Sequence, residues 1–165
     1  MKKLLTEWKK HLFAEGQEGI QYKAGYLADL LKEYPKIKRL RVPGWFLQSY
    51  YPDVIPSDVA CVALDDGEPV GIAAIVTPLD YRRDHIGLLN LYVDSWHRDM
   101  GLATNMFEKV EGLSKQWEYI VGSRTTKKML QRRNWETADF ESRFDFEDSI
   151  PFKNPNHQIR GLARR

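Results

Sequence analysis

The segment over residues 87–115 constrains the fold of this chain more than any other. It begins as an apolar, β-rich run that ends near Asp94, passes through a short polar turn, and continues as an amphipathic helix from about Gly101. The first backbone N–H groups of such a helix have no partner within the helix, and together with the helix dipole they favour a bound anion. The segment therefore predicts an anion site where a strand of a sheet meets a helix.

Small residues keep the predicted turn open to a ligand. Gly101 and Ala103 have no side chain that would hold a phosphate away from the backbone, and Arg98 adds a positive charge at the mouth of the turn. The apolar face of the helix, which we expect to pack against the sheet, is formed by Leu102, Met106, Val110 and Leu113.

Apolar runs rich in β-forming residues on both sides of this helix predict a central sheet. Between the first two runs, Asp66 and Gly67 supply the positive φ angles of a hairpin turn. After the last run, Ser123 or Thr125 is expected to cap a short helix, and residues 135–146 are expected to hold one or two closing strands. The predicted strands are residues 59–64, 70–76, 86–93 and 119–122.

The amino-terminal part of the chain has helical spacing instead. Its apolar residues recur in two sets, and Pro35 ends the second set, so two amphipathic helices are predicted. Residues 36–57 are expected to form an ordered loop with one short helix, and the aromatic residues within 43–56 to cover a core edge or line a substrate cleft. The two helical sets are Leu4, Leu5, Trp8 and Leu12, then Ile20, Ala24, Leu27, Leu31 and Tyr34.

Length and composition suit one domain. With 165 residues, of which 42% are hydrophobic, the chain has enough apolar material for a single core. We predict a domain over residues 1–150, with a helical third over 1–56 and the sheet over 57–150. The remaining residues, 151–165, are predicted to form a basic tail.

Composition also argues against several classes of protein. The net charge is +2 and the chain has no contiguous stripe of Lys and Arg, which argues against a nucleic-acid binder. The amino terminus has no apolar stretch long enough for a signal peptide or a membrane span, so we expect a cytoplasmic protein without a membrane partner.

The single cysteine, Cys61, lies in an apolar run that favours a buried packing residue over a reactive thiol. No cluster of His, Cys or carboxylates has metal-ligand spacing, so no metal is expected.

The turn resembles a known family signature. Arg98-x-x-Gly101-x-Ala103 is similar to the Arg/Gln-x-x-Gly-x-Gly/Ala motif of the GNAT superfamily of N-acetyltransferases, in which this turn cradles the pyrophosphate of acetyl-CoA. The order of hairpin, long strand, signature helix, strand, short helix and closing strand also resembles the family from residue 59 to about 146. The resemblance implies a single-domain α/β (α+β) fold with a mixed, mostly antiparallel central sheet flanked by helices.

The same resemblance implies the co-substrate and its site. The chain would transfer the acetyl group of acetyl-CoA directly to a primary amine of a small molecule or a protein, and a backbone N–H near Val93 would hold the oxyanion. Whether the protein forms a homodimer stays open. The residues implied for acetyl-CoA binding are Leu91, Tyr92, Val93, Arg98, Asp99, Met100, Gly101, Leu102, Ala103 and Thr104.

The sequence departs from the family at the general acid. Family members carry a Gly-Phe pair and, five residues before its phenylalanine, a tyrosine that acts as the general acid. This chain has Leu130 at the position of the tyrosine and Asn134 in place of the glycine. Asparagine tolerates the left-handed conformation, so the second change is conservative. Ser123 is either a substitute proton donor or a helix cap. A clear first strand is also missing from the sequence pattern.

The general base is open as well. An ordinary lysine amine has a pKa near 10.4, so only about one in a thousand is neutral at neutral pH and a base or a water relay is required. His85 is predicted either as this base or as a solvated loop residue, and Asp84 has the same two interpretations. Asn90 cannot act as a base but could orient a water or bind substrate. His97 is predicted to lie on the surface.

A second hypothesis is a protein that keeps the fold without the activity. Such a chain would serve as a binding module that acts through protein partners, and Leu130 favours it. The open turn at Arg98, Gly101 and Ala103 favours the enzyme, because a module without the coenzyme has no physical reason to keep that turn free of side chains.

Overall fold

The computed structural model describes residues 19–40, 54–78, 85–138 and 149–158. Short 3-10 helices at Pro35–Arg39 and Ser95–His97 supplement the longer elements. In chain order the α-helices and strands are β1 (Ile20–Tyr26), α1 (Leu27–Glu33), β2 (Val59–Asp65), β3 (Glu68–Val76), β4 (Ile86–Val93), α2 (Leu102–Glu111), β5 (Tyr119–Ser123), α3 (Arg124–Arg132), β6 (Glu136–Thr137) and β7 (Ser149–Lys153).

The strands of the described residues form one mixed, seven-stranded sheet in the order β1-β2-β3-β4-β5-β7-β6. Only β4 and β5 run parallel, joined by the crossover through α2, and the other neighbours are antiparallel. The predicted mixed, mostly antiparallel sheet is thus confirmed. Within the described residues, no helix is long and apolar enough to cross a membrane.

The hairpin between β2 and β3 forms as predicted. Asp66 has φ 50° and Gly67 has φ 81°, so both central residues of the two-residue turn take the left-handed conformation. This geometry matches the right-handed twist of the two strands.

Helices cover both faces of the sheet and create two apolar layers. On one face, which we call the α1 face, α1 and the Pro35–Arg39 helix pack over Ala60, Val62 and Leu88. On the other, the α2 face, α2 and α3 pack over Cys61, Ile75 and Leu89 with two buried tryptophans. Because strand side chains alternate between the faces, neighbouring residues of β2, β3 and β4 belong to different layers.

The prediction of a second helix over Ile20 to Tyr34 was partly wrong. Ile20–Tyr26 is strand β1, which pairs with β2 along its whole length, and the helix is confined to Leu27–Glu33. Ile20, Ala24 and Leu27 match helical spacing, but the pairing of β1 with a fully buried strand outweighs this local pattern. The first strand that seemed to be missing from the sequence is therefore β1.

The carboxy-terminal boundary also needs correction. Strand β7 crosses residue 150 and pairs with β5, so residues 151–153 belong to the sheet and not to the predicted tail. Asn154 is buried, and its Nδ2 donates to the carbonyls of Ser114 at 2.9 Å and Trp117 at 2.8 Å.

Of the predicted closing strands, β6 lies within residues 135–146. The helix predicted on Leu4 to Leu12 and most of the aromatic segment 43–56 lie outside the described residues.

Cys61 is fully buried in the α2-face layer, which confirms its prediction as a packing residue. Burial raises the pKa of its thiol to about 12. The pKa of the folded thiol exceeds the value of about 8.5 for an unfolded thiol. The contribution of this neutral, buried thiol to folding stability is therefore complete below about pH 8.5 and is lost as pH rises toward 12. We expect no reaction with an aromatic disulfide reagent at about pH 8 until denaturant is added. Rapid labelling of the folded protein would contradict this burial.

Candidate functional site

The two parallel strands of the sheet separate at their carboxyl ends. Pairing between β4 and β5 runs only from Ile86 with Tyr119 to Leu88 with Val121. Beyond this point β5 continues beside β7, while β4 extends alone to Val93. We call the gap between residues 89–93 of β4 and residues 122–123 of β5 the splay.

The backbone of β4 directs alternate residues into the splay. Asp94 donates its N–H to the Val70 carbonyl of β3 at 2.8 Å, and the register with β3 is regular along β4. Since successive strand residues present their N–H and C=O groups to opposite edges, Tyr92 faces β3 while Leu91 and Val93 face the splay. Leu91 and Val93 are therefore positioned to bind an extended ligand arm, and the prediction for the Tyr92 backbone finds no support in its direction.

The turn after β4 ends in an open helix terminus. Gly101 is the N-cap of α2 with φ 76°, and a Cβ placed on it would meet nothing within 4 Å. The first backbone hydrogen bond of α2 runs from Asn105 N–H to the Gly101 carbonyl at 3.0 Å, so the N–H groups at positions 102–104 precede it. No side chain of the described residues caps this terminus. The N–H groups of Leu102, Ala103 and Thr104 are thus positioned for an anion.

Two residues shape the backbone and packing of this turn. Asp99 takes the left-handed conformation with φ 66°, which aspartate tolerates better than most residues. Met100 is partly buried and packs against the α2-face layer. Both residues therefore shape the turn, Asp99 through its backbone and Met100 through its packing.

Arg98 folds back across the end of β4. Its Nε donates to the Val93 carbonyl at 3.1 Å, and the guanidinium carbon lies 6.0 Å from the centroid of the Tyr92 ring. The bond to Val93 places a positive charge between the splay and the start of α2, with the terminal N–H groups available for further acceptors.

His97 was predicted to lie on the surface, and this was wrong. His97 is only 7% exposed, and its ring lies between two carboxylates. Nδ1 is 2.6 Å from Asp94 Oδ1, and Nε2 is 2.7 Å from Asp65 Oδ2. The Asp94 side chain also accepts the His97 backbone N–H at 2.9 Å. His97 thereby ties the turn to the β2–β3 hairpin. Sequence reasoning missed this link because Asp65 lies far from His97 along the chain.

We expect His97→Ala to lower the free energy of unfolding by about 2 kcal/mol, because it removes hydrogen bonds to two charged groups. Urea unfolding measures the change. His157→Ala is the control, since the single hydrogen bond of this ring within the described residues goes to the Lys115 carbonyl. Equal losses in the two variants would contradict a stabilising role of the bridge between Asp65 and Asp94.

Ser123 stands at the splay as the N-cap residue of α3. Its backbone N–H donates to Thr126 Oγ1 at 2.9 Å, and the Thr126 hydroxyl donates to the Ser123 carbonyl at 2.8 Å. The Ser123 hydroxyl lies 2.8 Å from Thr125 Oγ1. The predicted capping position is confirmed, and the hydroxyl remains at the edge of the gap.

The position of the usual tyrosine acid holds a core residue. Leu130 is fully buried in the α2-face layer and packs under Gly122, where a Cβ on the glycine would lie 3.2 Å from Leu130 Cδ1. Asn134 has φ 68°, so it adopts the left-handed conformation expected of a glycine replacement. Leu130 therefore contributes packing and has no group to donate.

The structure does not bring His85 to the splay. It precedes β4, is exposed, and its carbonyl accepts the Glu118 N–H at 2.8 Å. Its ring lies 6.3 Å from the ring of His157, in a cleft of about 970 Å³ near the carboxyl end of α2. Five residues of strand, roughly 16 Å, separate it from Asn90. The prediction of His85 as the base therefore finds no support in its position, and Asp84 lies outside the described residues.

The fold matches known acetyltransferases. An acyl-CoA N-acyltransferase from Pseudomonas aeruginosa aligns with a TM-score of 0.58 at 17% identity, covering 82% of this chain and 99% of that one. The ribosomal-protein-S18-alanine N-acetyltransferase from Escherichia coli gives 0.56 at 13%, covering 85% and 96%. Naa50 from Arabidopsis thaliana, in complex with the bisubstrate analogue CoA-Ac-MVNAL, gives 0.52 at 14%, covering 81% and 97%. At these identities the likeness shows the fold alone.

Family membership follows from the sequence match. A search of curated proteins gave no match. The model of the Acetyltransferase (GNAT) family matches residues 26–133, which is more than half of the chain and includes the splay and the turn. The chain therefore belongs to the GNAT acetyltransferase family.

Proposed function

We propose that this protein transfers the acetyl group of acetyl-CoA directly to a primary amine. One observation supports this function above the others: the open, left-handed Gly101 at the start of α2 stands beside the splay of β4 and β5. A helix terminus of this kind binds a diphosphate through its N–H groups and dipole. The splay provides the adjoining edge of free backbone for a pantetheine arm.

Acetyl-CoA would be held by the turn and by one edge of β4. The N–H groups of Leu102, Ala103 and Thr104 would bind the diphosphate, and Arg98 would add charge-assisted hydrogen bonds. Along β4, the backbone groups that face the splay would pair with the amides of the pantetheine arm. No metal is required for this binding mode.

The chemistry is a direct displacement at the thioester. The neutral amine nitrogen attacks the acetyl carbon, and the negative charge that develops on the acetyl oxygen is stabilised by the Val93 N–H. The attack forms the C–N bond, and collapse of the tetrahedral intermediate restores the C=O bond, breaks the C–S bond and releases the CoA thiolate. The amine loses one proton to solvent, and the thiolate takes one up.

Ser123 is the proposed donor for the leaving thiolate. Its hydroxyl lies at the splay, and it accepts or donates in the short contact with Thr125 Oγ1. A thiol resembling cysteine has a pKa near 8.5, so the thiolate leaves without strong assistance. The absence of an acidic group at Leu130 therefore leaves the reaction feasible, with Ser123 contributing hydrogen bonding in place of full general-acid catalysis.

Labelled acetyl-CoA tests this function directly. The protein is incubated with it and a panel of amines, comprising lysine, spermidine, glucosamine and short peptides with free amino termini. Peptides are included because the E. coli neighbour is a ribosomal-protein-S18-alanine N-acetyltransferase and the Arabidopsis neighbour binds the bisubstrate analogue CoA-Ac-MVNAL. Mass spectrometry should find label on an amine together with free CoA thiol. Tight binding of acetyl-CoA without transfer to any amine would instead support the non-catalytic binding module.

A further inference from the structure

Asn90 is a buried polar residue in the middle of β4. Its side chain is 2% exposed, and Nδ2 donates to the Leu88 carbonyl at 3.3 Å. This bond fixes the orientation of the amide, because the carbonyl accepts only from the nitrogen. The other amide atom, Oδ1, is buried and has no donor among the described residues.

Strand alternation locates Asn90 relative to the splay. It pairs with Ala74 of β3, and Ala74 and Leu88 both belong to the α1-face layer, so Asn90 stands on that face. The last pair of β4 with β5 joins Leu88 to Val121. Asn90 and Ser123 each follow that pair by two residues, so they stand on the same face at the two sides of the splay.

An unpaired buried oxygen is costly. A buried acceptor without a partner loses its hydrogen bonds to water, and this loss lowers the stability of the folded protein. Its neighbours on this face of the sheet, Ala74 and Leu88, are apolar and belong to the α1-face layer. An apolar side chain would pack there without that penalty, so the oxygen points to a partner that arrives with the substrate.

We propose that Asn90 Oδ1 binds the acceptor amine by accepting one of its N–H groups, an inference that rests on the proposed acetyl transfer. The partner must be a donor, and the acetyl oxygen and the departing thiolate are acceptors only. The attacking amine has N–H groups and must lie beside the thioester. The hydrogen bond aims the nitrogen lone pair away from Asn90 and toward the acetyl carbon.

The acceptor amine must lose a proton during the transfer. An amide does not take up a proton at neutral pH, so Asn90 orients the amine without deprotonating it. The proton therefore leaves to solvent, and the rate should follow the ionisation of the amine itself. Ser123, on the opposite side of the splay, would bind the leaving thiolate.

Asn90→Leu separates binding from stability. We expect an unchanged affinity for acetyl-CoA by calorimetry and a melting temperature no lower than that of the native protein, because the substitution removes the unpaired oxygen. With the panel amine that gives the fastest thiol release, KM for the amine should rise about tenfold.

Asn90→Asp supplies a readout that packing alone would not change. The variant keeps an oxygen acceptor at the same place, so it should recover more of the amine binding than Asn90→Leu. It also introduces a carboxyl beside the amine, and the pH–rate profile should gain an ionisation that the native profile lacks.

The outcomes distinguish three explanations. An unchanged amine KM in Asn90→Leu would overturn the assignment, as would a lower melting temperature, which would make Asn90 a structural residue. A weaker affinity of Asn90→Leu for acetyl-CoA would overturn it too, since the oxygen would then bind a pantetheine amide. If the native protein binds acetyl-CoA but none of the amines in the panel leads to thiol release, the proposed function fails together with this inference.

Discussion

Gly101→Glu is expected to lower the affinity for acetyl-CoA more than a hundredfold. The native glycine leaves open space at the N-cap of α2, and a side chain there would occupy the place that we propose for the diphosphate. Glutamate also brings a negative charge against the ligand. Hydrogen bonds to a charged group contribute about 1.5–3 kcal/mol each, and loss of two of them suffices for this factor. Calorimetric titration with acetyl-CoA measures the change.

Backbone strain must be separated from the loss of the ligand. Gly101 has φ 76°, so any side chain at this position costs about 1–2 kcal/mol of folding stability. Gly67→Glu is the matched control, because Gly67 has φ 81° and open space around it in the β2–β3 hairpin. Both variants should lose similar stability, but only Gly101→Glu should lose acetyl-CoA binding. Equal affinities in the two variants would contradict the assignment of the turn.

Gly87→Val is expected to destabilise the fold by about 3 kcal/mol, the largest stability effect that we predict. A Cβ on Gly87 would lie 2.6 Å from Ile75 Cγ2 and 3.0 Å from Trp117 Cδ1. Trp117 is 2% exposed and cannot retreat, since its Nε1 donates to Thr77 Oγ1 at 2.8 Å. Overpacking of a close-packed core costs about 1–3 kcal/mol, and valine adds two methyl groups to the clash. Urea unfolding gives the free energy.

Gly25→Val supplies the control for this substitution. Gly25 also lies in a strand of the same sheet, but a Cβ there meets nothing within 4 Å. Valine favours strands, so we expect a change within about 0.5 kcal/mol or a small gain. A similar loss in both variants would show that the close approach of Trp117 to β4 does not decide the stability. Gly87 also belongs to the short paired part of β4 and β5 from which the splay opens.

Local sequence signals predicted the central part of the fold well. The hairpin turn at Asp66 and Gly67 and the start of α2 at Gly101 depend on backbone conformations that few residues favour, so the residue types identify them. The strands β2, β3 and β4 are long apolar runs whose composition alone indicates buried strands.

Elements decided by distant contacts were harder to predict. Strand β1 has apolar residues that fit helical spacing, and its pairing with β2 is visible only in the folded sheet. Strand β7 follows a polar region and completes the sheet beside β5, which the sequence pattern alone did not indicate. In both cases a long-range pairing prevails over the local pattern.

The candidate site divides in the same way. The open turn before α2 was predictable because Arg98, Gly101 and Ala103 lie within one short segment. The bridge from His97 to Asp65 and the unpaired oxygen of Asn90 depend on the packing of separate strands. His85 attracted a catalytic role by residue type, but strand β4 carries it to the end opposite the turn.

Nuclear magnetic resonance of the ¹⁵N-labelled protein would locate the diphosphate on individual backbone N–H groups. On titration with acetyl-CoA, the amide signals of Leu102, Ala103 and Thr104 should shift most, followed by those of Leu91 and Val93. Shifts confined to the cleft around His85 and Trp117, with the amides at the start of α2 unchanged, would show that acetyl-CoA does not bind at this turn.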